Sequence, residues 1–358
     1  MNVVFDAERL RNPNSGLGQF CGALGQALLA TKPDDTTLSF ITPPAQLEAY
    51  GPRASTIPTA WWHRFRAPIA ADVWHATHQD YWIRPPREAR VVLSIMDLNF
   101  LERADYSAAK KARRLAAVQR KIDRASGIAT ISEFTAGVVR RQLQVPDIPL
   151  RVIHLGNPMH GMPSSPSRPA DPRIAALTPG SFFVFVGVLH PKKNVHTLLP
   201  VLRSFPGMSL VLAGPDDHPY ARGLRDTAIR LGIAERVIVP GPVDGPTKRW
   251  LYENSRALLF PSLSEGFGLP VVEAMSFGKP AFLSRLTSLP EIGGGVATYF
   301  DSFEPDAMGD VLRRGLEDYD RNPGRAGELR AHAARYSWTT AATAYWSLYA
   351  EVHRSRRR

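Results

Sequence analysis

Short apolar runs recur along the chain at intervals too long for hairpins. In the first half they fall at residues 3–5, 38–41, 73–76, 91–95, 128–131 and 152–155; in the second, at 182–186, 210–213, 237–239, 257–260, 281–284 and 298–300. These runs lack polar alternation, which is the pattern of strands buried on both faces. Between them apolar residues return at helical spacing: Leu24, Leu28 and Leu29 in one stretch, and Leu115, Val118, Ile122 and Ala125 in another. Strands alternating with helices predict parallel sheets covered on both sides, an α/β fold. Two such sets predict two doubly wound, Rossmann-like domains, 1–160 and 161–337. Between them, the proline- and serine-rich residues 162–169 read as linker. A last helix is expected from Thr340 to Val352, within the segment 338–358.

One stretch adds chemistry to this pattern. After the run 257–260 the chain turns through Glu265-Gly266-Phe267-Gly268, and a helix is expected from near Pro270 to Gly278. Strand, glycine loop and helix together aim backbone N–H groups and the positive end of a helix dipole at one point, a natural phosphate site. Glu265 and Glu273 stand eight apart in this stretch. Carboxylates there suit paired hydroxyls of a ligand, although acids also favour helix N-termini for their own sake.

Composition narrows the class. The 358 residues are 44% apolar and 22% charged, as in soluble globular proteins, and no apolar run of about 18 residues predicts a membrane span. The first residues read as a strand, not a signal peptide. The single cysteine, Cys21, allows no internal disulfide, fits a reducing cytosol and reads as packed. The net charge of +11 admits nucleic acid, an anionic membrane surface or an acidic substrate. Much of it gathers on one helix expected over 106–125, where Lys110, Lys111, Arg113, Arg114, Arg120, Lys121 and Arg124 face a single acid, Asp123. Such a face is either solvated or rests on anionic lipid. It lacks the aromatic interleaving of a nucleic-acid binder. Trp61-Trp62-His63-Arg64-Phe65-Arg66 is either an interfacial anchor or a loop that tucks its rings into the core, and the tail 353–358 adds further cations.

The string Glu265-Gly-Phe-Gly-Leu-Pro-Val-Val-Glu273, continued by Leu289-Pro290-Glu291-Ile292-Gly293-Gly294, resembles the E-x7-E signature of retaining glycosyltransferases of family 4. That resemblance implies the GT-B fold: two Rossmann-like domains facing a cleft, with the C-terminal helix crossing back to the N-terminal domain. It implies that Glu265 contacts the donor sugar, that Glu273 contacts the nucleotide ribose, and that amides around Phe267, Gly268 and Leu269 hold the donor. By the same resemblance Gly16 and Gly18, after the first strand, face the donor phosphates and the acceptor. The family's His-Asp pair stands here as Met96-Asp97, so either Asp97 acts alone or His75 or His78 compensates. The family's phosphate-binding arginine is Val188 and its lysine is Lys193, with Asn194 where a glycine is usual; Lys192 or His190 is a substitute cation. Residues 241–243 and the helix 247–254 stand where the family binds the base. Ser132 reads as a helix cap and the Asp216-Asp217 pair as a turn, and no metal or other cofactor is expected.

The expected activity is therefore transfer of a hexose, mannose favoured, from a nucleoside-diphosphate sugar such as GDP-mannose or a UDP-hexose. The expected acceptor is lipid-linked or polysaccharide, in cell-surface glycan assembly such as lipopolysaccharide O-antigen or exopolysaccharide. The expected location is the inner face of the cytoplasmic membrane, reached peripherally through the Lys110–Arg124 face, with no nucleic acid as partner. Glu265, Asp97 and Lys193 are the catalytic candidates. The alternatives are a sugar-nucleotide epimerase of the same fold and a non-catalytic basic scaffold.

Overall fold

A computed structural model describes residues 1–13, 15–103, 105–159 and 169–355. The linker residues 162–168 and the tail residues 356–358 lie outside the described residues. The chain forms two compact units, Met1–Gly156 with Tyr336–Arg358, and Asn157–Arg335.

The first unit holds seven strands: β1 (Asn2–Asp6), β2 (Thr37–Thr42), β3 (Ser55–Pro58), β4 (Val73–Ala76), β5 (Arg90–Ile95), β6 (Gly127–Thr130) and β7 (Leu150–Val152). They form one parallel sheet in the order β3-β2-β1-β4-β5-β6-β7. The second unit holds β8 (Phe182–Val186), β9 (Ser209–Ala213), β10 (Val237–Gly241), β11 (Ala257–Phe260), β12 (Ala281–Ser284) and β13 (Thr298–Phe300). These are also parallel, in the order β10-β9-β8-β11-β12-β13. The strand order reverses between β1 and β4 and again between β8 and β11. Ligands of such sheets bind beyond the strand C-termini at that reversal.

Two runs depart from expectation. β3 is Ser-Thr-Ile-Pro, with no apolar run to announce it, because as an edge strand it buries little. The run 152–155 pairs over Leu150–Val152 instead. Ile153 and Leu155 are buried beyond the end of the ladder, so their apolarity marks packing and not strand.

The helix Trp338–Arg354 completes the first unit. Tyr345 and Tyr349 on it are fully buried. The His75 ring lies 2.7 Å from the Tyr349 hydroxyl through Nδ1 and 2.8 Å from Ser94 Oγ through Nε2, and Ser94 Oγ meets the Tyr345 hydroxyl at 2.8 Å. Burial drives the His75 pKa down to about 3, so the ring is neutral. His75 is thus a core residue held by the last helix, which removes it as a substitute for the family histidine.

Candidate active site

The loops after β8 and β11 lie side by side at the reversal of the second sheet, joined by Leu263 N–H donating to the Lys192 carbonyl at 2.8 Å. The first loop makes one turn over Pro191–Lys193, capped by His190, and Asn194 then adopts φ +57°. Asparagine tolerates that left-handed conformation, so it stands where the family uses glycine without strain. The turn separates the two lysines. Lys192 points into solvent, while Lys193 turns inward and sets its Nζ 2.5 Å from Glu265 Oε1. Both members of this pair are almost covered, at 12% and 13% side-chain exposure. Val188, at the family's arginine position, is 45% exposed and adds no charge.

The Glu265 loop is fixed from the turn after β12. Glu265 N–H donates to Thr287 Oγ1 at 3.0 Å, and the buried Ser288 Oγ lies 3.0 Å from the Glu265 carbonyl and 2.9 Å from that of Phe267. Thr287 sits at φ +53°, a region β-branched residues rarely enter. The loop carrying Glu265 is therefore held by a locally strained turn. Gly268 is needed twice over: its φ is +108°, and a Cβ there would meet Leu289 Cδ2 at 2.8 Å. From it the helix Leu269–Ser276 runs, with Pro270 in its first turn. Phe267 is buried just before it.

Glu273 is 2% exposed. Its Oε1 takes the Lys248 ammonium at 2.8 Å and its Oε2 the Tyr252 hydroxyl at 2.6 Å, both from the helix Gly245–Asn254. Burial, reinforced by the Glu273 charge, pushes the Tyr252 hydroxyl well above its usual range and keeps it a donor. Sequence reasoning missed Lys248 and Tyr252. Their spacing of four on one helix was the available signal, since it places both on one face. Thr287 and Ser288 were missed because they fall between the two matched parts of the recognisable string. In the same two loops Asn194 Nδ2, Ser262 Oγ and Ser264 Oγ are buried with no hydrogen-bond partner among the described residues.

The remaining candidates lie in the first unit. The helix Gly16–Ala30 is capped by Ser15, whose Oγ accepts from Gly18 N–H at 3.1 Å. A Cβ on Gly18 would meet the Asn12 carbonyl oxygen at 2.1 Å, so the chain's own turn requires that glycine; Gly16 is exposed and unconstrained. Asp97 Oδ1 accepts from Asn99 N–H at 3.0 Å, closing a turn after β5. Gln79, unnoticed in the sequence, bridges the positions of the family pair. Its Nε2 donates to the Asp97 carbonyl at 2.7 Å and its Oε1 accepts from Met96 N–H at 3.1 Å. His78 is held by Arg9 at 3.2 Å and by Asp80 N–H at 2.9 Å, and burial lowers its pKa to about 4. Cys21 is packed, its thiol pushed up to about 12 by burial. Asp216 pairs with Arg225, and among the described residues no group of acids, histidines or cysteines is placed to hold a metal.

The basic helix, Ala108–Ile122, is less free than its sequence suggests. Arg114 pairs with Asp80 at 3.0 Å, Lys121 donates to the Tyr81 carbonyl at 2.6 Å, and Arg124 caps the carbonyls of Pro86, Arg87 and Ala89. Lys110, Arg113 and Arg120 remain exposed. Residues 61–66 do not tuck their rings away: Trp61, Trp62 and Phe65 are 74%, 41% and 61% exposed, and only His63 is buried. Arg84 ties this turn to the strap 80–89 through the carbonyls of His63 and Phe65. No helix among the described residues is long and apolar enough to cross a membrane.

A profile of the family described as Glycosyl transferases group 1 matches residues 168–336, which include Lys193, Glu265 and Glu273. O-antigen chain mannosyltransferase B of Escherichia coli is 25% identical over 96% of this chain and 98% of its own length. The chain is a GT-B glycosyltransferase. The D-inositol 3-phosphate glycosyltransferase of Mycobacteroides abscessus is 31% identical to this transferase over 46% of the chain, but only 38% of that relative is covered. In fold, the transferase superposes on sucrose-phosphate synthase from Thermosynechococcus elongatus with a TM-score of 0.76, at 16% identity, over 98% of both chains.

Proposed function

We propose that this glycosyltransferase belongs to the retaining family 4 and moves a hexose, mannose favoured, from a nucleoside-diphosphate sugar to a glycan or lipid-linked acceptor of cell-surface polysaccharide. The observation that carries the reading is the Lys193–Glu265 pair at the strand reversal of the second sheet. A diphosphate entering there competes for the Lys193 ammonium, and its negative charge is also favoured by the helix that starts after Gly268. Glu265, relieved of its cation, is then available to sugar hydroxyls. Stabilising the departing diphosphate lowers the barrier most where its charge develops, and Lys193 is the fixed cation for that role. The acceptor hydroxyl attacks from the leaving-group side with a phosphate oxygen as base, so the scheme uses neither a carboxylate nucleophile nor a metal. The partnerless Asn194, Ser262 and Ser264 support a polar ligand at these loops. The near full-length similarity to a mannosyltransferase of O-antigen chains supports mannose and a surface glycan. The exposed Trp61 and Trp62, together with the exposed Lys110, Arg113 and Arg120, support peripheral attachment to an anionic membrane face.

The test is turnover with GDP-mannose, UDP-glucose, UDP-galactose and ADP-glucose, with product anomers read by NMR. Glu265→Ala should abolish transfer while the melting curve stays cooperative. Wild-type turnover in that variant, or inversion at the anomeric carbon, refutes the reading. Conversion of one sugar nucleotide into another without acceptor would favour the epimerase.

A further inference from the structure

Both backbone groups of Glu265 are held by side chains of the turn that follows β12. Its N–H donates to Thr287 Oγ1 at 3.0 Å, and its carbonyl lies 3.0 Å from Ser288 Oγ. Ser288 Oγ also reaches the Phe267 carbonyl at 2.9 Å, and Ser284, at the end of β12, donates to the Ser262 carbonyl. Ser284, Thr287 and Ser288 thus span the loop from Ser262 to Phe267. We infer that Thr287 is a positioning residue for the transfer step. Its hydroxyl, carried on a strained backbone, fixes the peptide of Glu265 so that only the carboxylate moves when a donor arrives. The inference rests on the assignment of Glu265 to the donor sugar.

The backbone conformation singles out this residue. Among the described residues two non-glycine positions have positive φ, Asn194 at +57° and Thr287 at +53°. Asparagine tolerates that region, whereas a β-branched side chain crowds its own backbone there. Glycine would make the same turn without strain, but would offer Glu265 no acceptor. Such strain persists only where the surroundings over-determine it. Here the neighbouring Ser288 is fully buried, and Leu289 N–H closes the turn onto the Leu286 carbonyl at 3.2 Å.

The ion pair explains why the peptide has to be fixed. Lys193 Nζ stands 2.5 Å from Glu265 Oε1. When a diphosphate claims the lysine, the carboxylate turns from one partner to another. With its N–H and carbonyl both tied, Glu265 turns about its side-chain torsions while its Cα stays in place. Without the Thr287 bond the peptide joins the motion and the carboxylate strays from the sugar. Small misplacements of that kind slow a reaction strongly.

The test compares Thr287→Val, Thr287→Gly and Thr287→Ser in the whole protein, with GDP-mannose or whichever sugar nucleotide the wild type turns over. Valine keeps the branching and removes only the acceptor; glycine removes the acceptor and the strain; serine keeps the acceptor. Loss of one ordinary hydrogen bond corresponds to about fivefold to tenfold in rate. The kcat should fall by that factor in the valine and glycine variants, and serine should restore most of it. Affinity for GDP or UDP should not change, because Lys193 and the helix after Gly268 are untouched. Thr287→Gly should melt above Thr287→Val, since only valine keeps a β-branched residue at positive φ. Activity and stability then part company. Turnover that follows the melting order instead, with glycine faster than valine, would make Thr287 merely structural and overturn the inference, as would undiminished kcat in the valine variant. Amide hydrogen exchange at Glu265 needs no turnover: it should quicken in the valine and glycine variants and not in the serine variant. If the wild type turns over no sugar nucleotide, the transferase reading fails and this exchange alone decides whether Thr287 fixes the peptide; exchange unchanged in Thr287→Val overturns it.

Discussion

Glu273 combines two jobs that a single substitution would confuse. Its carboxylate is 2% exposed and already neutralises Lys248 while accepting from Tyr252. Glu273→Gln keeps an acceptor for Tyr252 but strands the Lys248 ammonium, itself only 12% exposed. Orphaning one member of a buried pair costs about 3–5 kcal/mol, and the slight exposure argues for the lower end. For a unit of this size about 3 kcal/mol lowers Tm by about 6–12 °C. Removing the cation as well, in Lys248→Met with Glu273→Gln, should restore stability to within about 1 kcal/mol of wild type, because replacing both charges removes the penalty. Differential scanning calorimetry of the four proteins of the cycle measures this. Nucleoside-diphosphate affinity, titrated well below the melting range, then isolates the ribose contact. A carboxylate has about four acceptor sites, of which two are occupied here, and loss of a charged hydrogen bond to ribose should weaken binding tenfold to about a hundredfold even in the restabilised double variant. If the double variant is as unstable as the sum of its parts, the pair is not the source of the cost. If it binds the nucleotide like wild type, Glu273 serves the fold and not the ribose.

Lys193→Ala should cost tenfold to about a hundredfold in transfer and Lys192→Ala little, since only Lys193 faces Glu265; equal losses in kcat/KM would show that the solvent-facing lysine is the phosphate ligand. Burial raises the carboxyl of Asp6 from 3.8 to about 7. Folded protein then holds a proton that the unfolded chain has lost, so this group's contribution to stability falls as pH rises from about 4 to about 7, by up to about 1.4 kcal/mol per unit. His75 and His78, both depressed, slope the other way, so the quantity to follow is the stability gap between wild type and Asp6→Asn. It should move in favour of the variant across that window, and a gap independent of pH in urea titrations refutes the buried acid. Binding to acidic liposomes should fall with salt, at about 1 kcal/mol per cation lost, in Lys110→Gln with Arg113→Gln and Arg120→Gln, and Trp61→Ser with Trp62→Ser should remove what persists at high salt. Equal cosedimentation with neutral vesicles would reduce the charge to solubility.

The strands and the glycine loop were legible because their signals are local: unbroken apolar runs, Pro270 at a helix start, Gly278 at φ +72° at its end. The partners of the site were not. Lys248 and Tyr252 reach Glu273 only because two helices are packed together, and nothing near Glu273 in sequence names them. The same blindness made the helix 108–122 look like unspent charge, whereas Arg114 and Lys121 are committed to a strap some 30 residues or more away in the chain. His75 shows the opposite error. It offered itself as a substitute for the family histidine at Met96, but its two ring nitrogens are engaged by Ser94 and Tyr349, the latter far along the chain.

That last contact has a consequence for how the molecule is made. The ribosome completes β1 to β7 long before it reaches residue 338, and until then the side of β4 and β5 that receives Tyr345 and Tyr349 lacks its cover. The second unit, an unbroken stretch of chain, has every residue it needs and can finish first, although it is synthesised later. The unit synthesised later can thus be the first to close. Until the helix that starts at residue 338 is made, the older half stays open to chaperones and proteases.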